Sequence, residues 1–81
     1  MIYYVYVLSS ESYGTRYVGC AKEINIRLKE HNDGRCRYTS GRRPWKLVHS
    51  EEFTSLAEAR RRERFLKSGV GRKELDKILK K

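Results

Sequence analysis

Ile2-Tyr3-Tyr4-Val5-Tyr6-Val7-Leu8 is a run of β-branched and aromatic residues, apolar at both parities. A strand buried on both faces reads this way. The polar stretch Ser9 to Thr15, with Gly14 near its end, reads as a turn, and Arg16-Tyr17-Val18-Gly19-Cys20 as the returning strand of a β-hairpin. Working outward, Trp45 to Phe53 is a third strand, with Trp45, Leu47 and Phe53 on one parity. A helix from about Lys22 to Asn32 lies between them and stops at the cap signal Asn32-Asp33-Gly34. Ser55-Leu56-Ala57-Glu58 is a capping box that starts a second helix, which runs to about Lys67 with Gly69 as its stop. Arg72 to Lys81 reads as a last short helix packing through Leu75, Ile78 and Leu79. The expected fold is α+β: a three-stranded antiparallel sheet flanked by helices in the order β-β-α-β-α-α, forming a single domain over residues 1–81.

The 81 residues carry 19 Lys+Arg against 10 Asp+Glu, a formal charge of +9 that favours polyanions, nucleic acid before anionic membrane. No apolar run reaches the roughly 18 residues a membrane span needs, and no basic-then-apolar leader opens the chain. The expectation is a cytoplasmic protein, neither membrane-spanning nor secreted. Cys20 and Cys36 are too few for a disulfide scaffold and lack a zinc spacing, so they read as reduced thiols packed as small hydrophobes.

Placed on a helical wheel, the first helix shows Ile24, Arg27, Leu28 and His31 on one face. Singly, Arg27 reads as a snorkelling side chain and His31 as a helix-end dipole partner. Together they place a cation and an imidazole side by side on a core-facing stripe. In the second helix Leu56, Ala59, Leu66 and Val70 define a stripe with Glu63 at its centre, while Phe65 falls outside it and is expected against the last helix. An unpaired buried carboxylate costs several kcal/mol, so Glu63 is internally ion-paired, neutral, metal-bound or at the rim of a cleft. Six tyrosines add to this, with Tyr4 and Tyr6 on one parity of the first strand and Tyr17 on its partner. Packing is the ordinary reading; a phenol beside a cation such as Arg27 can also serve as a general acid or base. A carboxylate for a divalent cation, a guanidinium for phosphate and a phenol or imidazole for a proton are the groups that phosphodiester cleavage needs.

Tyr4-Val5-Tyr6, ten residues, then Tyr17-Val18-Gly19 resembles the paired motif of the GIY-YIG nuclease superfamily. Arg27, His31 and Glu63 follow in the family's order, and the resemblance covers nearly the whole chain. Gly41-Arg42-Arg43-Pro44-Trp45-Lys46-Leu47-Val48 and Arg62 to Gly69 are similar to small members that look like the N-terminal incision domain of the bacterial excision-repair nuclease. The resemblance implies hydrolysis of a DNA phosphodiester, endo- or exonucleolytic, with one divalent ion, Mg²⁺ or alternatively Mn²⁺. By the same resemblance Glu63 is the metal ligand, Tyr6 the base or the group that positions water, and His31 the neighbour that accepts the proton. Arg27 binds the scissile phosphate, Tyr17 orients water or phosphate, and Gly19 allows close packing of the backbone. The base is not assigned among Tyr6, Tyr17 and His31. Three positions depart from the family pattern: Tyr4 replaces a glycine, Cys20 stands where several members carry lysine, and Gly71-Arg72-Lys73-Glu74 lacks an asparagine.

DNA contacts are expected from Arg35, Arg37, Arg42, Arg43 and Lys46 around the loop before the third strand, and from Arg60, Arg61 and Arg64 on the second helix. Phosphate contacts carry no sequence information, so weak sequence preference and steep salt dependence follow, with any selectivity going to single-stranded or branched DNA. Repair, recombination and restriction-like defence are the roles consistent with this chemistry. The rival reading is a noncatalytic nucleic-acid-binding module that keeps the fold and the charge.

Overall fold

The hairpin read from residues 2–20 is the frame on which the rest is hung. In a computed structural model that describes residues 1–35 and 37–79, β1 (Tyr3–Ser10) pairs antiparallel with β2 (Arg16–Ala21) on one side and β3 (Trp45–Phe53) on the other. The sheet order is therefore β2-β1-β3, with β1 central. The helices are α1 (Ile24–Asn32), the single turn α2 (Arg37–Ser40), α3 (Leu56–Lys67) and α4 (Gly69–Ile78). Cys36, Lys80, Lys81 and the side chains of Arg37 and Tyr38 lie outside the described residues.

Central placement explains why β1 is apolar at both parities. Val5 and Val7 point to one face and join Val18, Ala59, Leu66 and Leu75 in a core closed by α3 and α4. Tyr6 and Leu8 point to the other and join Trp45, with Tyr17, Ile24, Leu28 and Leu47 around them, under α1. Fully burying one such aliphatic side chain contributes about 1.5–3 kcal/mol.

β3 departs from simple alternation. Val7 pairs with His49 but Leu8 pairs with Leu47, so Val48 is an extra residue and the strand is bulged there. Trp45 and Leu47 consequently face α1 while Phe53, of the same parity, joins the α3–α4 core. The shared parity of Trp45, Leu47 and Phe53 does not translate into a shared face.

Gly34 ends α1 as its cap signal predicts, with φ +82° and its N–H donating to the His31 carbonyl. Ser55 caps α3 by accepting from the Glu58 N–H at 3.4 Å. The stripe expected on α3 is shorter than the wheel predicts: Ala59 and Leu66 are buried, but Leu56 and Val70 are exposed. Phe65 is also partly exposed, with the Arg62 guanidinium over its ring at 5.3 Å. Gly69 does not stop the helical segment; it opens α4, three residues before the expected start at Arg72. Ser68 serves both helices, as C-cap of α3 and as N-cap of α4 through the Gly71 N–H at 3.2 Å. α4 starts there because Gly71 lies flush on the end of α3, where a Cβ would collide with the Phe65 carbonyl and Leu66 Cα.

The internal ion pair of α3 belongs to Arg62. Its guanidinium grips both oxygens of Glu51 on β3 at 2.8 and 3.0 Å and reaches Glu74 on α4 at 2.6 Å, tying three elements together. The Arg62 hydrogen bonds hold the Glu51 carboxyl below its ordinary value, helped by His49 at 2.9 Å.

Candidate active site

The antiparallel register puts Tyr6 opposite Gly19 and Leu8 opposite Tyr17, so Tyr6 and Tyr17 are diagonal neighbours on the α1 face of the sheet. Their ring centroids are 6.3 Å apart. α1 lays His31 over both: its ring is 4.8 Å from that of Tyr17 and 6.1 Å from that of Tyr6. Tyr6 Oη lies 3.1 Å from His31 Nε2, and His31 Nδ1 lies 2.8 Å from Thr39 Oγ1 on α2. One turn earlier on α1, Arg27 pairs with Glu30 at 2.8 Å, and its nearness to the Tyr6 hydroxyl is the main reason its pKa is raised. Gly19 is required because Tyr6 Oη and Cζ occupy the space a Cβ would take.

The protons of this chain can be assigned by elimination. The nearby Arg27 guanidinium only donates, so the acceptor for the Tyr6 hydroxyl proton is His31 at 3.1 Å. Burial, and secondarily the Arg27 charge, pushes the His31 pKa below 6.5, so the ring is neutral at pH 7. Nε2 is then the acceptor, and Nδ1–H donates to Thr39. Tyr6 and His31 are buried at 1% and 0% exposure, while Arg27 and Tyr17 present surface to solvent.

Glu63 stands on the other flank of edge strand β2. Burial, and after it the nearby Glu63 charge, raises the thiol pKa of Cys20, the neighbour of Gly19. The Glu63 carboxylate is 17% exposed and paired with the exposed Lys67 at 2.8 Å, one helical turn away. Arg60, Arg64 and Lys67 rim a recess of about 170 Å³ around it. Of the alternatives for this residue, the geometry realises two together: Glu63 is ion-paired, to an exposed lysine of its own helix, and lies at the rim of a recess.

A family model described as the GIY-YIG catalytic domain matches residues 2–76. The chain belongs to the GIY-YIG family. It is similar to UPF0213 protein SERP0126 of Staphylococcus epidermidis, 36% identical over 77 residues that cover 94% of this chain and 93% of the relative. A UPF0213 protein of Staphylococcus aureus strain Mu3 is 36% identical over 74 residues, covering 90% and 89%. The solution NMR structure of UPF0213 protein BH0048 from Bacillus halodurans superposes with a TM-score of 0.59 at 34% identity, covering 96% of this chain and 85% of that one. The α+β architecture read from the sequence is thus the GIY-YIG fold.

Within this GIY-YIG domain Tyr6, Tyr17, Arg27 and His31 come together as one cluster, with Glu63 across β2 from it. Arg35, Lys46, Arg60, Arg61 and Arg64 are exposed, and Arg42 is half-buried. Arg43 donates to the Ser40 carbonyl at 2.8 Å and reaches the Asn32 carbonyl at 3.5 Å, so part of its guanidinium closes the α1–α2 corner. The Arg37 side chain lies outside the described residues.

Two supporting residues escaped the sequence reading. Thr39 holds His31 and, through its carbonyl, the Trp45 indole N–H at 2.9 Å. Asn32 clasps the Trp45 backbone through both ends of its amide, at 2.6 and 3.1 Å. A four-residue helical turn has no periodicity to reveal Thr39. Among the described residues no group of three or more His, Cys, Asp or Glu side chains could hold a metal ion. Among the described residues no helix is long and apolar enough to cross a membrane.

Proposed function

We propose that this GIY-YIG domain hydrolyses DNA phosphodiesters with a divalent ion held by Glu63. The observation that supports it is the buried hydrogen-bonded chain Tyr6–His31–Thr39, closed against Gly19, with the partly exposed Arg27 beside its Tyr6 end. A purely structural core would not need a guanidinium, a phenol and a neutral imidazole in series beneath a basic surface.

In this reading the exposed part of Arg27 binds the scissile phosphate, which draws the guanidinium toward the substrate and uncovers Tyr6 Oη. Tyr6 accepts a proton from the attacking water while its own proton passes to His31 Nε2. Thr39 keeps the other ring nitrogen protonated, so that Nε2 is the free lone pair. Tyr17, in contact with His31 and open to solvent, orients the water or the phosphate. Mg²⁺ or Mn²⁺ on Glu63, in exchange for Lys67, would supply charge neutralisation at the phosphoryl oxygen and acidify water. Phosphate contacts from the exposed arginines and lysines favour structure or single-strandedness over sequence. Repair, recombination and defence against foreign DNA all present such substrates.

The test is cleavage of labelled single-stranded, duplex and branched DNA at low salt with Mg²⁺, Mn²⁺ or chelator, comparing wild type with Glu63→Gln and Tyr6→Phe. Metal-dependent cutting that both variants lose while staying folded supports the proposal. Cutting that survives in Glu63→Gln overturns the mechanism, and binding without cutting in any metal favours the noncatalytic module.

A further inference from the structure

Glu30 takes no part in the chemistry above, yet it stands in the middle of the cluster. It sits on α1 next to His31 and accepts from Arg27 Nη1 at 2.8 Å. Among the described residues it is the one carboxylate whose charge bears on both groups. It helps to raise the Arg27 pKa, and it pulls the His31 pKa upward against burial and the Arg27 charge. Arg27 is 41% exposed and Glu30 31%, so an anion from solvent can reach the pair. A part-exposed i,i+3 pair adds little to helix stability. α1 is anchored without it, by Leu28 and His31 in the core and by Asn32 on the Trp45 backbone. What the pair does change is the guanidinium, because part of its donor fork is spent on a carboxylate.

We propose that Glu30 is a latch on Arg27, a positioning residue that holds the guanidinium beside the Tyr6 hydroxyl in the empty site and that a phosphate must displace. Carboxylate and phosphate offer the same kind of anionic oxygens to one planar fork, so they compete for its donors. They also repel each other across it, so Glu30 weakens every anion at Arg27. The consequence is selectivity. A small phosphate held at Arg27 alone competes at a disadvantage. A polyanion already resting on other exposed arginines and lysines is present at high effective concentration and can open the latch. Once Arg27 has turned to the phosphate, the Glu30 charge is no longer shared and favours a proton on His31, the destination of the Tyr6 proton. The inference rests on the nuclease reading for the phosphate's place in a DNA strand, not for the competition itself.

The experiment is an NMR titration of the full chain with inorganic phosphate in EDTA, following the Arg27 Nε–H and the ring nitrogens of His31. Wild type is compared with Glu30→Gln, Glu30→Asp and Glu23→Gln. Glu23, exposed at the N-cap of α1, controls for loss of one negative charge near the same helix. Glu30→Gln should bind phosphate at Arg27 about two- to fivefold more tightly, the scale of one part-exposed ion pair. Its His31 pKa should fall further below 6.5. Glu30→Asp, which keeps the charge, should stay near wild type in both. If Glu30→Gln and Glu23→Gln tighten phosphate alike, if Glu30→Asp behaves as Glu30→Gln, or if no variant takes phosphate at Arg27, the latch is overturned. Tighter phosphate in Glu30→Gln, in a chain that cuts no DNA in Mg²⁺, leaves the latch standing and removes the nuclease. Cutting by a chain whose Glu30→Gln variant binds phosphate as wild type does removes the latch and leaves the nuclease.

Discussion

The two faces of this sheet are built on opposite principles. The face under α3 and α4 is dry: Val5, Val7, Val18, Ala59, Leu66 and Leu75 pack without a buried polar side chain among them, and charge stays at the rim, in the Arg62–Glu51–Glu74 clasp and the Arg16–Asp76 and Lys67–Glu63 pairs. The face under α1 is where every described buried polar residue sits. Ser10, His31 and Thr39 lie there beside Tyr6, Leu8 and Trp45, each hydrogen-bonded. Alternation along β1 sends valines one way and tyrosine and leucine the other, so one strand serves an aliphatic face and a face of hydrogen-bonded polar groups. Glu63 belongs to the dry side's helix, near Cys20 on the edge strand β2.

The contrast can be broken most severely at Glu63. Glu63→Gln should lower metal-dependent cleavage by about 10³-fold or more, the scale of several kcal/mol of charge stabilisation. Its partner Lys67 is exposed, so the unfolding free energy should move by less than about 1 kcal/mol, checked by urea denaturation. The mirror-image change is Leu66→Ala in the dry core. It should cost about 2–5 kcal/mol of stability, while cleavage per folded molecule stays near wild type.

A smaller effect separates the faces by polarity. Thr39→Val leaves the buried His31 Nδ1–H without its acceptor and should cost about 1–3 kcal/mol, with Thr39→Ser restoring most of it. Nitrogen chemical shifts of the His31 ring in the two variants report whether the tautomer follows the hydroxyl. Smallest is a pH signature. Because the His31 pKa is depressed below 6.5 in the folded state, folding stability is unaffected above that value and declines as pH falls below it, where only the unfolded chain takes the proton. Glu51 on the opposite face also has a depressed pKa, and its contribution is lost only as pH falls below 4.5. Denaturation midpoints between pH 7.5 and 3.5 should therefore show two separate declines.

Much of this was legible in the chain. The double-parity run of β1 announces a central strand, and Asn32-Asp33-Gly34 and Ser55 mark helix ends by local chemistry alone. Arg27 and His31 could be paired through the 3.6 period of α1, whereas Tyr6 and Tyr17 joined them only through the family resemblance, because strand period does not fix the register of the hairpin. What could not be read depends on partners distant in sequence. The α4 start at Gly69 defies the low helix propensity of Gly69-Val70-Gly71 because Gly71 fits against the α3 backbone, a tertiary reason. Thr39 is an ordinary residue in a basic loop until His31 is folded over it.

The extra residue at Val48 divides β3 into two reading frames. Trp45 and Leu47 are written in the frame of the tyrosine face, His49, Glu51 and Phe53 in the frame of the valine face, and Val48 is the spacer between them. A deletion at 48 would not shorten the strand so much as force one half to speak the other's language, burying Glu51 where Tyr6 lies or exposing Trp45. Substitutions on either side of it, by contrast, are insulated from each other, so the chemical half of this strand can vary while the half that grips Arg62 stays fixed.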